Sequence, residues 1–276
     1  MDLVTPASLS TTLLPGLLLA SLLAAEQPPP APQQPKDQGY ERLEPGPTRT
    51  APTQGLSRMN LDNIAIDFYL KKPPGQGTWP GIVLVHDGGG MSPGVLRLVD
   101  ELASKGFIVI APDLYGGKYA LDDDKARELS VVMDEQAALA ILDALAAHLK
   151  NQVEVGDHRV GIVGFDTGGR LAMKAAIGSR DVSAVAVVYA RSPGDPETIR
   201  RVGCPLMAVF AGKDDMIPPR ESETLREALE AMGDRARVAI LPDAGHGFMK
   251  DTDPRYDPSA AGQAWARIVA FLRENL

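Results

Sequence analysis

The chain is poor in cysteine, in histidine and in basic charge, and each shortage excludes something. Its one cysteine, Cys204, has no second cysteine to pair with, so no intramolecular disulfide forms and even an exported fold rests on its core alone. Four histidines and that one cysteine give no Cys/His cluster with zinc-ligand spacing, and no metal or other cofactor is expected. Lysine and arginine number 28 against 36 aspartates and glutamates, a formal net charge of -8. Such a balance gives no reason to expect nucleic acid as a partner, because phosphate binding needs a basic surface. No apolar run reaches the roughly 20 residues of a bilayer-spanning helix, and nothing repeats at a fixed period. With 44% hydrophobic and 23% charged residues, wholesale disorder, collagen and multi-span membrane architecture are excluded.

What is there reads in three parts. Residues 1–25 carry an apolar run from Leu13 to Ala25, broken at Pro15-Gly16, with the size of a signal-peptide core. Against that reading, the segment before the run has Asp2 and no Lys or Arg, and Leu23 stands three residues before a cleavage after Ala25. An uncleaved anchor, a mis-assigned start and a disordered tail are the other readings. No cysteine follows the run closely, which excludes a lipoprotein. A signal peptide implies export, to a periplasm or outside the cell; without one the protein is cytoplasmic. Residues 26–55 are rich in Pro, Gln, Thr and charge, with too few apolar groups to offset chain entropy, and are expected to form a disordered linker. The domain spans 56–276.

Within it, short apolar runs recur: Ile64–Leu70, Ile82–Val85, Phe107–Ile110, Val160–Val163, Val182–Tyr189, Leu206–Phe210 and Val238–Leu241. Amphipathic stretches lie between several of them. Leu96, Val99, Leu102 and Ala103 make one stripe; Val132, Ala137, Leu139, Ile141, Leu142 and Leu145 make part of a longer one. Continuous apolar strands alternating with helices predict an α/β fold, a mostly parallel sheet covered on both faces.

One stretch carries chemistry. In Val160-Gly161-Ile162-Val163-Gly164-Phe165-Asp166-Thr167-Gly168-Gly169-Arg170 an apolar strand enters a glycine-flanked turn, and a helix follows. This is the context of a nucleophile elbow, which leaves its central side chain at a helix N-terminus. The central residue is Asp166, not Ser or Cys. Asp214 then follows the Leu206–Phe210 strand, and His246 stands in a glycine-flanked loop after the last strand. The chain order of elbow residue, acid and histidine is that of an α/β-hydrolase.

From about residue 58 onward the chain resembles the dienelactone hydrolase family of α/β-hydrolases. The resemblance rests on Trp79-Pro80-Gly81-Ile82-Val83-Leu84-Val85-His86-Asp87-Gly88, on Ala111-Pro112-Asp113-Leu114-Tyr115-Gly116-Gly117, on the elbow with its double glycine, and on His246-Gly247-Phe248 followed by Ala264-Trp265. It implies Asp214 as the triad acid, His246 as the base, Gly88 and Thr167 as oxyanion-hole amides, and Asp87 at an acidic position that tunes the nucleophile. It also implies hydrolysis of a small-molecule ester, lactone or activated-carbon substrate. Recognition of a dienelactone would further need pocket arginines, and the sequence does not place Arg127, Arg170 or Arg191 there.

Asp166 departs from the family's Cys or Ser and leaves three readings open. It is an Asp nucleophile, as in the haloalkane dehalogenase and epoxide hydrolase branches, where an elbow Asp displaces a leaving group at carbon and histidine-activated water cleaves the resulting ester. Or it merely pairs with His246 in a silent site, leaving a catalytically inactive binding protein. Or His246 activates water directly. Asp214 is preferred to Asp215 because Pro218 follows it at the family's interval; Asp87 either serves the site or caps its loop. Gly90-Met91-Ser92-Pro93-Gly94 matches G-x-S-x-G but follows the wrong strand, and Pro93 has no N–H to donate to an oxyanion. Cys204 is expected to be buried and Asp122-Asp123-Asp124 to start a helix. The oligomeric state is not legible.

Overall fold

A computed structural model describes residues 56–61, 64–120 and 122–276. The expected signal segment and Pro-rich linker lie outside the described residues. The eight strands are β1 (Ser57–Leu61), β2 (Ile64–Lys71), β3 (Gly81–Val85), β4 (Ile108–Pro112), β5 (Val160–Phe165), β6 (Val182–Val188), β7 (Leu206–Lys213) and β8 (Ala236–Gly245). They form one sheet in the order β1-β2-β4-β3-β5-β6-β7-β8. The pairs from β4 through β8 are parallel, while β2 runs antiparallel to both β1 and β4. This is the α/β-hydrolase fold.

The two faces follow from the two-residue period of a strand. Ile82, Leu84, Val109 and Val163 point to one face, where they meet α1 (Pro93–Ser104) and α7 (Pro258–Asn275) through Val95, Val99, Leu102, Trp265, Ile268 and Leu272. Val83, Val85, Ile108, Ile110 and Ile162 point to the other and meet α3 (Glu135–Lys150), α4 (Thr167–Ala175) and α6 (Pro219–Glu230). Both faces are covered, so the central strands read as unbroken apolar runs.

The stripe expected from Val132 to Leu145 is not continuous. One helix, α2 (Asp123–Val132), ends at Val132, and α3 begins at Glu135 because the Asp134 carboxylate accepts from the amides of Gln136 and Ala137. An N-cap at that point starts a new helix. Val132 is 78% exposed and Ala137 is also exposed, while Leu142 and Leu145 are buried. Asp122 caps α2 by accepting from the Lys125 amide. Ser92, in the misleading G-x-S-x-G, caps α1, and Cys204 is buried. A short helix, α5 (Pro196–Arg200), precedes β7. No helix of the described residues is long and apolar enough to cross a membrane.

Candidate active site

The site gathers at the C-terminal ends of β3 to β8, where the crossover connections of a parallel sheet place their loops. Asp166 leaves β5 with φ 47° and ψ -115° and starts α4. A residue with a side chain is strained there, at about 1–3 kcal/mol. The surrounding contacts enforce the turn. The Asp166 N–H donates to Val188 O, and Asp166 O accepts from the amides of Arg170 and Arg191. Glycine is required at 168 because a Cβ there would lie 2.1 Å from His86 O, and at 164 because it would lie 2.4 Å from Gly168 O. Helix, elbow and the end of β3 therefore interlock through bare backbone.

The two oxygens of the Asp166 carboxylate have different surroundings. The Thr167 hydroxyl donates to Oδ2 at 3.1 Å, and Gly88 lies against the same oxygen, which a Cβ on Gly88 would meet at 3.4 Å. Oδ1 is buried and has no hydrogen-bond partner among the described residues. It stands 4.0 Å from His246 Nε2 and 3.4 Å from Arg191 Nε. Burial is the main force on this carboxyl and raises its pKa; the charge of Asp87 adds to the rise. His246, the Thr167 amide and Arg191 oppose it without cancelling it.

Opposite, His246 sits on the loop after β8, its Nδ1 3.0 and 3.1 Å from the two oxygens of Asp214. Asp214 is held in turn by the amides of Met216 and Ile217, each donating to Oδ1 at 3.0 Å. Burial pushes the Asp214 carboxyl up, but the His246 hydrogen bond, its charge and those two amides outweigh burial and hold it below the usual carboxylate range. Through Nδ1, Asp214 orients the imidazole so that Nε2 faces Asp166. Asp215 is exposed. The Tyr189 ring packs against the imidazole at 4.8 Å between centroids; Tyr189 is itself buried and held at φ 36°.

The structure thus brings Asp166, Asp214 and His246 together and sets Gly88 and Thr167 around one oxygen of Asp166. Asp87 closes its own loop and meets a lysine. Its Oδ1 accepts from the Gly89 amide at 2.9 Å, and its Oδ2 pairs with Lys250 Nζ at 2.5 Å. Burial would raise the Asp87 carboxyl, but Lys250 dominates the opposing forces and leaves it below the ordinary range. Burial likewise opposes the charge on Lys250, and Asp87 overrules it, so the ammonium is held above its ordinary value.

Lys250 is a site residue that the sequence reading missed; its signal was its place four residues after His246. The sequence did not place Arg191 in the pocket, and the structure sets it at the elbow. Arg127 instead pairs with Asp124 on the exposed α2, and Arg170 pairs with Glu135. Ser130 of α2 leans over Gly88, its Oγ 2.9 Å from where a Cβ there would be, and is hydrogen-bonded to the Tyr115 hydroxyl at 3.2 Å. Among the described residues no group of three His, Cys, Asp or Glu side chains is arranged to hold a metal ion.

The model of the family described as "Dienelactone hydrolase family" matches residues 66–276. The protein named "Putative carboxymethylenebutenolidase" from Escherichia coli strain K12 is 26% identical over 238 residues, 81% of this chain and 84% of its own length. "Protein usf" from Aquifex pyrophilus is 29% identical over 226 residues, 78% of this chain and 96% of its own. Among solved structures, that titled "Putative Dienelactone Hydrolase" from Klebsiella pneumoniae superposes with a TM-score of 0.70 at 24% identity, covering 79% of this chain and 98% of that one. That likeness is one of fold.

Proposed function

The chain belongs to the dienelactone hydrolase family and is a hydrolase of that family, and from that premise we propose that Asp166 is its nucleophile and that the reacting atom of its small-molecule substrate is a carbon bearing a leaving group. The observation that carries this reading is the unequal treatment of the two Asp166 oxygens. One is held by Thr167 beside Gly88; the other is buried, unbonded and turned toward the free nitrogen of His246.

That arrangement suits two steps. Oδ1 attacks the carbon, the bond to the leaving group breaks with its electron pair, and an aspartyl ester forms. A water between the ester and His246 then loses a proton to Nε2 while its oxygen attacks Cγ of Asp166. The tetrahedral oxyanion develops on Oδ2, where the Thr167 and Gly88 groups stand. Collapse breaks the Cγ–Oδ1 bond, so Oδ1 leaves on the substrate carbon as the product alcohol, which takes its proton from the imidazolium; the water oxygen stays on Asp166, whose acid proton passes to the departed leaving group, and Asp166 is a carboxylate again. The sum is substrate plus water giving alcohol plus the protonated leaving group. Acyl substrates fit less well, since a carboxylate attacking an ester gives a mixed anhydride. The name of the Escherichia coli relative, a carboxymethylenebutenolidase, makes a lactone the contrasting electrophile to test.

Intact-protein mass spectrometry of His246→Ala, incubated with epoxides, haloacids, lactones and p-nitrophenyl esters, decides the matter. An adduct that accumulates on Asp166 and is absent from the Asp166→Asn, His246→Ala double variant is the expected result. Turnover that survives Asp166→Asn, with no adduct for any class, overturns the nucleophile and leaves His246 activating water directly. Absence of turnover in every class points to a silent site.

A further inference from the structure

We propose that Arg191 is the positioning residue of Asp166, the cation that holds its carboxylate ionised and its Oδ1 turned to the reacting atom. The proposal rests on the nucleophile reading above. A carboxylate at the elbow introduces a charge into a site that already holds Asp87 and Asp214. Beside His246, the cations nearby are engaged elsewhere: Lys250 with Asp87, Arg255 with Asp123 and Asp253, and Arg170 and Lys174 with Glu135. Arg191 is built differently. Its amide bonds to Asp166 O, and its Nε stands 3.4 Å from Oδ1. The guanidinium is steadied by Nη2 donating to Met216 O at 3.2 Å, in the loop that also carries Asp214, and by Glu221 of α6 at 3.8 Å. Backbone and side chain of one residue therefore address the two ends of Asp166.

The geometry also says why an arginine serves here. The planar fork spans the elbow and the Asp214 loop at once, which a point charge does not. The ammonium of a lysine would supply the charge with fewer tethers. The groups facing Asp166 from the surrounding loops are Asp87 after β3, Tyr115 after β4, Tyr189 and Arg191 after β6 and His246 after β8. Tyr115 is kept protonated by burial, its pKa pushed up to about 12. Of these groups, His246 and Arg191 favour the ionised Asp166 carboxylate.

Two measurements on the full chain test this. In an isotope-edited infrared titration, with Asp166→Asn to assign the band, the Asp166 carboxyl should protonate about one pH unit higher in Arg191→Gln than in the native chain, and partway between in Arg191→Lys. Glu221→Gln, which frees Arg191 for Asp166, should move the midpoint down and serves if Arg191→Gln fails to fold. With the substrate that the adduct screen supplies, kcat of Arg191→Gln should fall about tenfold below that midpoint and recover at high pH, where the carboxylate ionises unaided. A merely structural loss would not recover. Unmoved midpoints in Arg191→Gln and Glu221→Gln overturn the proposal even where Asp166 adducts form. A moved midpoint with turnover indifferent to Asp166→Asn keeps the role in ionisation and overturns the nucleophile.

Discussion

Asp166 Oδ1 and His246 Nε2 face each other at 4.0 Å, too far for a direct hydrogen bond. A serine or thiol elbow needs that bond, because its proton must leave for the imidazole. An ionised carboxylate has no proton to give, and the gap suits a water that touches both groups. The distance therefore agrees with a site in which His246 acts on water and not on the elbow residue.

The buried Asp166 carboxylate, with Oδ1 unbonded, should cost the fold stability in a pH-dependent way. The folded pKa of Asp166 is raised, first by burial. Over the window from the unfolded value, about 3.9, up to the folded one, the native state binds the extra proton, so this group's contribution falls as pH rises and is least favourable above the folded pKa. Asp166→Asn removes the charge, and asparagine tolerates positive φ better than most residues. At neutral pH it should be more stable than the native chain by about 0.5–2 kcal/mol, with the advantage closing as pH drops through that window. Urea denaturation across pH reads it; an advantage that does not change with pH counts against the assignment.

Asp87 and Lys250 form a buried pair with the opposite sign. Asp87 has a depressed folded pKa, chiefly through Lys250 once burial is overcome, so its contribution is present above the unfolded carboxylate value and is lost as pH falls through the folded one. Lys250→Met leaves the Asp87 carboxylate buried without its cation and should cost about 3–5 kcal/mol. Adding Asp87→Asn removes the stranded charge and should recover most of that loss. Equal stabilities for the single and double variants in chemical denaturation would show that the pair contributes little.

The fold was legible because the central strands are buried on both faces and read as apolar runs, as in Val160–Val163 and Val182–Val188. β1 was not, since Ser57, Arg58 and Asn60 lie on an edge where burial imposes no pattern. The helix break at Asp134 was hidden because Val132 and Ala137 fit the period yet point to solvent. In the site, Asp166, Asp214 and His246 announced themselves by strand-end context and chain order. Lys250 and Arg191 did not, because a charged residue on a loop looks the same in sequence whether it faces solvent or a carboxylate from a distant loop. Only the convergence of the loops after β3, β5, β6 and β8 distinguishes them.

The elbow itself is independent of which nucleophile it holds, and that gives a last expectation. The φ of 47° at position 166 is imposed by the interlocked backbone of Gly164, Gly168 and β3, not by the carboxylate. A cysteine there inherits the same turn, the N-terminus of α4 and the free Nε2 of His246. Each of these favours a thiolate, so Asp166→Cys should show a thiol pKa well below the free value of about 8.5. The smaller side chain also vacates the space beside Gly88 and Thr167 that Oδ2 now fills, where an acyl oxyanion could be received. Asp166→Cys should therefore gain turnover of p-nitrophenyl esters, with activity and iodoacetamide labelling sharing one pH midpoint. His246→Ala in that background should abolish the turnover. An Asp166→Cys variant that folds, labels only at alkaline pH and hydrolyses no ester would show that the frame is specialised for the carboxylate and is no longer a general acyl-transfer elbow.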